Sequence, residues 1–187
     1  MPIVGVLAFQ GDVREHKKAV ESGGDTATEV RTAADLASVD ALIIPGGEST
    51  TIGKLASRLG LLDPLRNRIG EGMPTFGTCA GMIFLAAALT DGDQPLLGAL
   101  DIVVRRNAFG RQNDSFEADL EVAGLDRPFH AVFIRAPWVA KVGEDVEVLA
   151  AVDGHPVMVR QGNIMASSFH PELTNDGRLH RMLIDLI

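Results

Sequence analysis

The sequence predicts an α/β fold: a mostly parallel central sheet covered by helices on both faces, with an antiparallel extension in the second half. Three observations carry this. Short apolar runs alternate with helical patterns through the first half, the signature of βαβ units. Runs such as Ala41-Leu-Ile-Ile44 are apolar at consecutive positions, as strands covered on both faces must be. In the second half the strands come at short spacing, and several alternate apolar and polar residues, the habit of antiparallel sheets.

In chain order, residues 3–9 read as a buried strand, and Asp12 is placed to cap a helix through residue 22. Residues 41–44 form a second buried strand, ended by Pro45-Gly46-Gly47. Residues 50–58 and 62–71 have helical patterns, 74–77 form a short strand, and 81–89 are helical again. Strands follow at 102–104, 116–122, 131–134, 146–152, 157–160 and 164–169, and residues 177–187 close the chain as a helix. Pro and Gly sit at turns without clustering into a linker, so residues 1–187 are expected to form one domain.

The composition is that of a globular protein, with 46% hydrophobic and 22% charged residues. A net charge of −8 gives a field that repels nucleic acid. The longest apolar stretches, such as residues 83–89, are far too short to span a bilayer. The chain runs straight into a strand without a charged leader, so a cytoplasmic location is expected. The single cysteine excludes an internal disulfide and a thiolate metal cluster. Neither a metal nor a cofactor is expected.

That cysteine, Cys79, lies in Gly77-Thr-Cys79-Ala-Gly81, between a strand and a helix. Gly-x-Cys-x-Gly is the cysteine counterpart of a nucleophile elbow. The sulfur must project from the sheet end on a tight turn, where flanking side chains would collide. The following helix aims its N-terminus at the sulfur and favours the thiolate, and the Ala80 N–H is left to face an oxyanion. The plain alternative is a buried cysteine in an ordinary turn.

A thiol nucleophile needs a base. His16 and His180 fall on helices among charged residues and read as solvated; His130 and His155 lie beside turns. His170 differs, because it ends a strand and opens His170-Pro171-Glu172. Pro171 biases His170 away from helical geometry, and in an extended segment residues two apart project to the same side. Glu172 can then orient the imidazole as the acid of a triad does. A surface turn with a chance His and Glu is the alternative. The third element is Pro45-Gly-Gly-Glu-Ser49, whose glycines let backbone approach a ligand, with the Gly47 N–H as a second oxyanion donor. No Gly-Lys-Ser/Thr follows, which argues against a nucleotide-binding P-loop.

Phe76-Gly-Thr-Cys79-Ala-Gly81, Pro45-Gly-Gly-Glu-Ser49 and His170-Pro-Glu172 resemble the class I, triad-type glutamine amidotransferases, a flavodoxin-like fold family. Gly5-Val-Leu-Ala-Phe-Gln10-Gly, Val13-Arg-Glu-His16, Arg106-Asn-Ala-Phe-Gly-Arg-Gln112, Asp114-Ser-Phe-Glu-Ala118 and Val132-Phe-Ile-Arg135-Ala-Pro137 resemble one branch, the glutaminase subunits of pyridoxal 5′-phosphate synthase. The resemblance implies that Cys79 attacks the carboxamide of L-glutamine, His170 shuttles protons and Glu172 orients it. It implies an oxyanion hole from Gly47 and Ala80, and glutamine contacts from Gly47, Glu48, Ser49, Arg106, Ile134 and Arg135. Gln10 matches a position at the mouth of the ammonia path. The implied partner is a ring-forming synthase subunit, in a large hetero-oligomer. On chemistry alone, a guanidinium suits the α-carboxylate of glutamine; a surface ion pair is the alternative for Arg106 and Arg135. Rival readings are an amidotransferase feeding imidazole glycerol phosphate or anthranilate formation, a DJ-1-like cysteine stress protein, and a catalytically silent binding subunit.

Overall fold

The chain's structure is a computed structural model that describes residues 1–110 and 115–187. In chain order the elements are β1 (Ile3–Leu7), α1 (Val13–Ser22), β2 (Thr26–Val30), α2 (Ala33–Ala37), β3 (Ala41–Ile44), α3 (Ser49–Arg58), α4 (Leu62–Gly70), β4 (Thr75–Thr78) and α5 (Ala80–Leu85). Then come β5 (Ala86–Leu89), β6 (Leu100–Arg105), β7 (Ser115–Leu120), β8 (Phe129–Ile134), β9 (Trp138–Val142), β10 (Glu147–Val152), β11 (His155–Gln161) and β12 (Ile164–Ser167). A 3-10 turn at Pro171–Leu173 and α6 (Arg178–Ile184) follow.

The central sheet has seven strands in the order β10-β11-β12-β4-β3-β1-β2. The five from β12 to β2 run parallel. β11 and β10 extend them antiparallel at one edge. A three-stranded sheet, β5-β6-β9, and the β7–β8 hairpin complete the second half. Alternation along the strands feeds two cores. On β3, Leu42 and Ile44 face one core with Ile52, Leu65 and Phe84, while Ala41 and Ile43 face the other with Val20, Phe129 and Leu183. All four β3 residues are buried, which is why the strand reads as an unbroken apolar run.

Several sequence expectations need correction. Residues 81–89 are not one helix, since α5 ends at Leu85. Ala86 turns extended at φ −59°, ψ 153°, and β5 pairs parallel with β6. Local propensity favours helix for three alanines, but the returning chain overrides it. The N–H groups of Leu97 and Ala99 donate to the Phe84 and Leu85 carbonyls, at 2.7 and 3.0 Å, and take the acceptors of the last turn. Residues 164–169, grouped by pattern with the antiparallel extension, supply β12, which pairs antiparallel with β11 on one side and parallel with β4 on the other. β2, α2 and β9 escaped the sequence reading. β2 is an edge strand of mostly polar residues, and α2 is one short turn held by a Thr32–Asp35 capping box. Asp12 sits at the N-cap of α1 but makes no capping bond with its side chain. Arg111, Gln112 and Asp114 of the quoted sequence stretches lie outside the described residues. Among the described residues, no helix is long and apolar enough to cross a membrane.

Candidate active site

Strand order dictates which loops meet. β1, β3, β4 and β12 are adjacent and parallel, so their C-terminal ends open on one edge, the usual ligand crevice of such sheets. Those ends carry Gln10 and Asp12, Pro45–Ser49, Cys79, and His170–Glu172, in that order of strands. The β4–β12 pairing sets Thr78 against Ser167, and the Cys79 N–H donates to the Ser167 carbonyl at 2.7 Å. Two segments that are 91 positions apart in sequence, by the difference of residue numbers 79 and 170, thereby face each other.

Cys79 has φ 49° and ψ −103°, a left-handed conformation that costs a non-glycine residue about 1–3 kcal/mol. The flanking glycines are there for close approach: a Cβ on Gly77 would lie 2.7 Å from the Gly81 backbone, and one on Gly81 would strike the Ile44 carbonyl. The elbow expected from sequence is therefore the local geometry. Of the four described non-glycine residues with positive φ, Cys79, Asn107 and Arg135 all line the same cavity. Residues in such costly backbone conformations cluster at active sites and ligand clamps, which makes this cavity the candidate site.

That cavity, of about 480 Å³, brings together Gln10, Gly47, Glu48, Ser49, Cys79, Ala80, Arg106, Ile134, Arg135 and His170. Glu172 lies behind it, buried. Its Oε1 accepts from His170 Nδ1 at 2.7 Å, while Asp12 Oδ2 is 3.8 Å from the same nitrogen. Burial acts to lower the His170 pKa, but hydrogen bonds to the Cys79 sulfur and the Glu172 carboxylate outweigh it and push the value up to about 10. Burial raises the Glu172 pKa above the usual carboxylate range, against the pull of His170. Asp12, His170 and Glu172 offer ligand atoms within 4.8 Å of one another, as a metal site requires. The short Nδ1–Oε1 contact is already filled by a proton, which a metal would have to displace.

Gly46, beside the Gly47 singled out by the sequence, packs closely against His170 and Cys79. A Cβ on Gly46 would lie 2.6 Å from His170 Cε1 and 3.5 Å from Cys79 Cβ. Gly47 has φ 133°, a backbone conformation that side chains rarely adopt. The following N–H, of Glu48, donates to Gln10 Oε1 at 2.6 Å, so Gln10 pins this loop from β1.

Sequence reasoning missed Gln94. Its Oε1 accepts from Ser49 Oγ, Thr50 Oγ1 and Arg106 Nη1 at 3.2, 3.1 and 3.3 Å, fastening the Arg106 wall to the start of α3. Arg106 pairs loosely with exposed Asp91, Nη2 to Oδ2 at 3.9 Å, while its Nε is buried without a partner among the described residues. The reading of His16 and His180 as solvated is overturned. Both are buried, at 0% and 1% exposure, and His16 Nε2 lies 3.4 Å from Glu172 Oε2. The spacing of Val13, His16 and Val20 on α1 was a legible signal, a stripe at three and four residues.

The chain is 59% identical over 189 residues to pyridoxal 5′-phosphate synthase subunit PdxT of Frankia alni, covering all of this chain and 95% of that protein. It is 56% identical over 188 residues to the protein of the same name in Mycobacteroides abscessus, covering all of this chain and 97% of that one. A crystal structure of a glutamine amidotransferase, 58% identical, superposes with a TM-score of 0.94 over 98% of this chain and 97% of its own. The model of the SNO glutamine amidotransferase family matches residues 6–187, and the chain belongs to that family.

Proposed function

We propose that residues 1–187 act as one glutamine amidotransferase domain that hydrolyses L-glutamine to L-glutamate and ammonia through Cys79, His170 and Glu172, and passes the ammonia to a synthase subunit making pyridoxal 5′-phosphate. The observation that carries the reading is the strained Cys79 elbow set against a His170 held at 2.7 Å by buried Glu172. Full-length identity to relatives named as pyridoxal 5′-phosphate synthase subunits favours this pathway over the other amidotransferase routes. The imidazole–carboxylate pair behind the thiol argues against a DJ-1-like stress protein or a silent binding subunit. A large hetero-oligomer with the synthase subunit and a cytoplasmic setting belong to the same reading; a catalytic thiol must stay reduced.

The Cys79 thiolate attacks the carboxamide carbon, and the Gly47 and Ala80 N–H groups hold the oxyanion. The tetrahedral intermediate collapses to a thioester as His170 gives its proton to the departing ammonia. Water, losing a proton to His170, then attacks the thioester, and glutamate leaves with the thiolate restored. Arg106 and Arg135, on the cavity wall, hold the α-carboxylate.

Glu172→Gln tests the triad. Turnover should fall roughly a hundredfold with the fold retained, as when the orienting acid of a triad is lost. The pH profile gives a second readout. His170 is raised because it gains partners, so its imidazolium persists until pH rises through about 10. Removing the Glu172 charge takes away one raising contact, so the alkaline limb should move to lower pH than in the wild type. Wild-type turnover with an unmoved limb would make Glu172 a bystander. Separately, Arg106→Ala and Arg135→Ala should each raise the KM for glutamine, at least about tenfold for a lost charge-assisted contact. An unchanged KM at both positions would refute the carboxylate contact.

A further inference from the structure

A line of buried imidazoles runs behind the triad. Glu172 Oε1 is occupied by His170, while Oε2 is buried without a partner at ordinary hydrogen-bond distance among the described residues. The donor atom facing it is His16 Nε2, from α1, at 3.4 Å; the same nitrogen lies 3.2 Å from Thr78 Oγ1. On its other side, His16 Nδ1 is 3.0 Å from His180 Nε2, on α6. His180 Nδ1 has no partner among the described residues.

Counting hydrogen bonds assigns the tautomers. If His16 carried its proton on Nδ1, His180 Nε2 would have to accept, and His180 would carry an N–H at Nδ1 with no acceptor. The bare Nε2 lone pair of His16 would also face the Glu172 carboxylate. If instead His180 donates from Nε2 to His16 Nδ1, then His16 carries its proton on Nε2, where Thr78 Oγ1 accepts at 3.2 Å and Glu172 Oε2 lies 3.4 Å from the same nitrogen. Every N–H then has an acceptor, and only an imidazole lone pair stays unpartnered, the less costly omission. Burial first, and the neighbouring imidazoles next, hold His16 well below the ordinary imidazole range; burial takes His180 down to about 4. Both rings are therefore neutral near neutral pH. Beside the Glu172 carboxylate stand His170 and His16, with Asp12 beyond His170; of these His170 alone is cationic.

We propose that His16, held in its tautomer by His180, is a positioning residue of the triad, its Nε2–H fixing Glu172 Oε2 so that Oε1 stays aimed at His170 Nδ1. A neutral donor suits this place. A cation there would compete with His170 for the carboxylate charge, whereas a neutral N–H restrains the carboxylate without drawing it away. The proposal rests on the triad reading above.

The test is steady-state glutaminase kinetics with the synthase subunit present. His16→Leu, close in size but without a donor, should lower kcat roughly ten- to a hundredfold, the effect that outer hydrogen-bond partners have on a directly acting group. KM for glutamine should stay at the wild-type value. His16→Gln, whose amide nitrogen reaches the place of Nε2, should recover most of the loss. In a Glu172→Gln background, His16→Leu should add little, because both changes act through one carboxylate. Wild-type kcat in His16→Leu, equal impairment of His16→Leu and His16→Gln, or fully multiplicative losses would each overturn the proposal. If His16→Leu does not fold, His180→Leu tests the same line by removing the donor to His16 Nδ1. A severalfold loss of kcat is expected, and wild-type kcat overturns it. Normal turnover in Glu172→Gln alone would instead sink the triad reading, so the two failures are distinguishable.

Discussion

Cys79→Ala is expected to lower glutamine turnover by at least about a thousandfold while leaving the fold intact, since removing a nucleophile removes the covalent route altogether. Cys79 is the only thiol in the chain, so no second sulfur can take its place. It is buried at 8% exposure and holds a strained backbone between β4 and α5. Alanine relieves neither the strain nor the close glycine contacts, but it fits the space, so the thermal transition should stay near that of the wild type. Residual turnover within tenfold of wild type would end the assignment of Cys79 as nucleophile. Loss of turnover together with loss of the folded state would leave the variant uninformative about chemistry, so circular dichroism belongs beside the kinetics.

Adding the synthase subunit should raise turnover by about a hundred- to a thousandfold, the worth of one oxyanion donor. The device is the Gly46–Gly47 peptide. Gly46 lies against His170 and Cys79 with no room for a side chain, and Gly47 is in a conformation that only glycine adopts readily. A peptide between two glycines rotates at little steric cost, so its N–H can point into the hole or away from it. Gln10, reaching from the end of β1 to the Glu48 N–H at 2.6 Å, holds the next peptide and gives a docked partner a handle on the loop. The effect should fall on kcat, with KM changing much less, because the hole acts on the tetrahedral intermediate and not on bound glutamine. Equal turnover with and without the synthase subunit would show a hole already formed in the free chain.

The parts legible in the sequence are those where one local rule decides. The apolar runs of β1 and β3 announced a covered parallel sheet, and Gly77-Thr-Cys79-Ala-Gly81 announced the elbow, because a positive-φ cysteine with backbone packed on both sides needs those glycines. His170-Pro-Glu172 was legible because proline restricts His170 and the two side chains lie two residues apart. Other features depend on contacts distant in sequence. Ala86–Leu89 is helical by propensity and becomes a strand only because β6 lies beside it. Gln94 gains its place from Ser49, Thr50 and Arg106, far from it in the chain. His16 and His180 sit among charged neighbours in sequence, yet α1 and α6 turn both rings toward the sheet. Buried polar groups of this kind are paired across elements, which a single segment does not reveal.

The most direct measurement of the central claim is covalent labelling by a diazoketone analogue of glutamine, read by peptide mass spectrometry in the presence of the synthase subunit. A single adduct on the peptide carrying Cys79, slowed by added glutamine and absent from Cys79→Ala, is the expected result. An unlabelled Cys79 in a protein still turning over glutamine, or an adduct on another residue that abolishes activity, would contradict it.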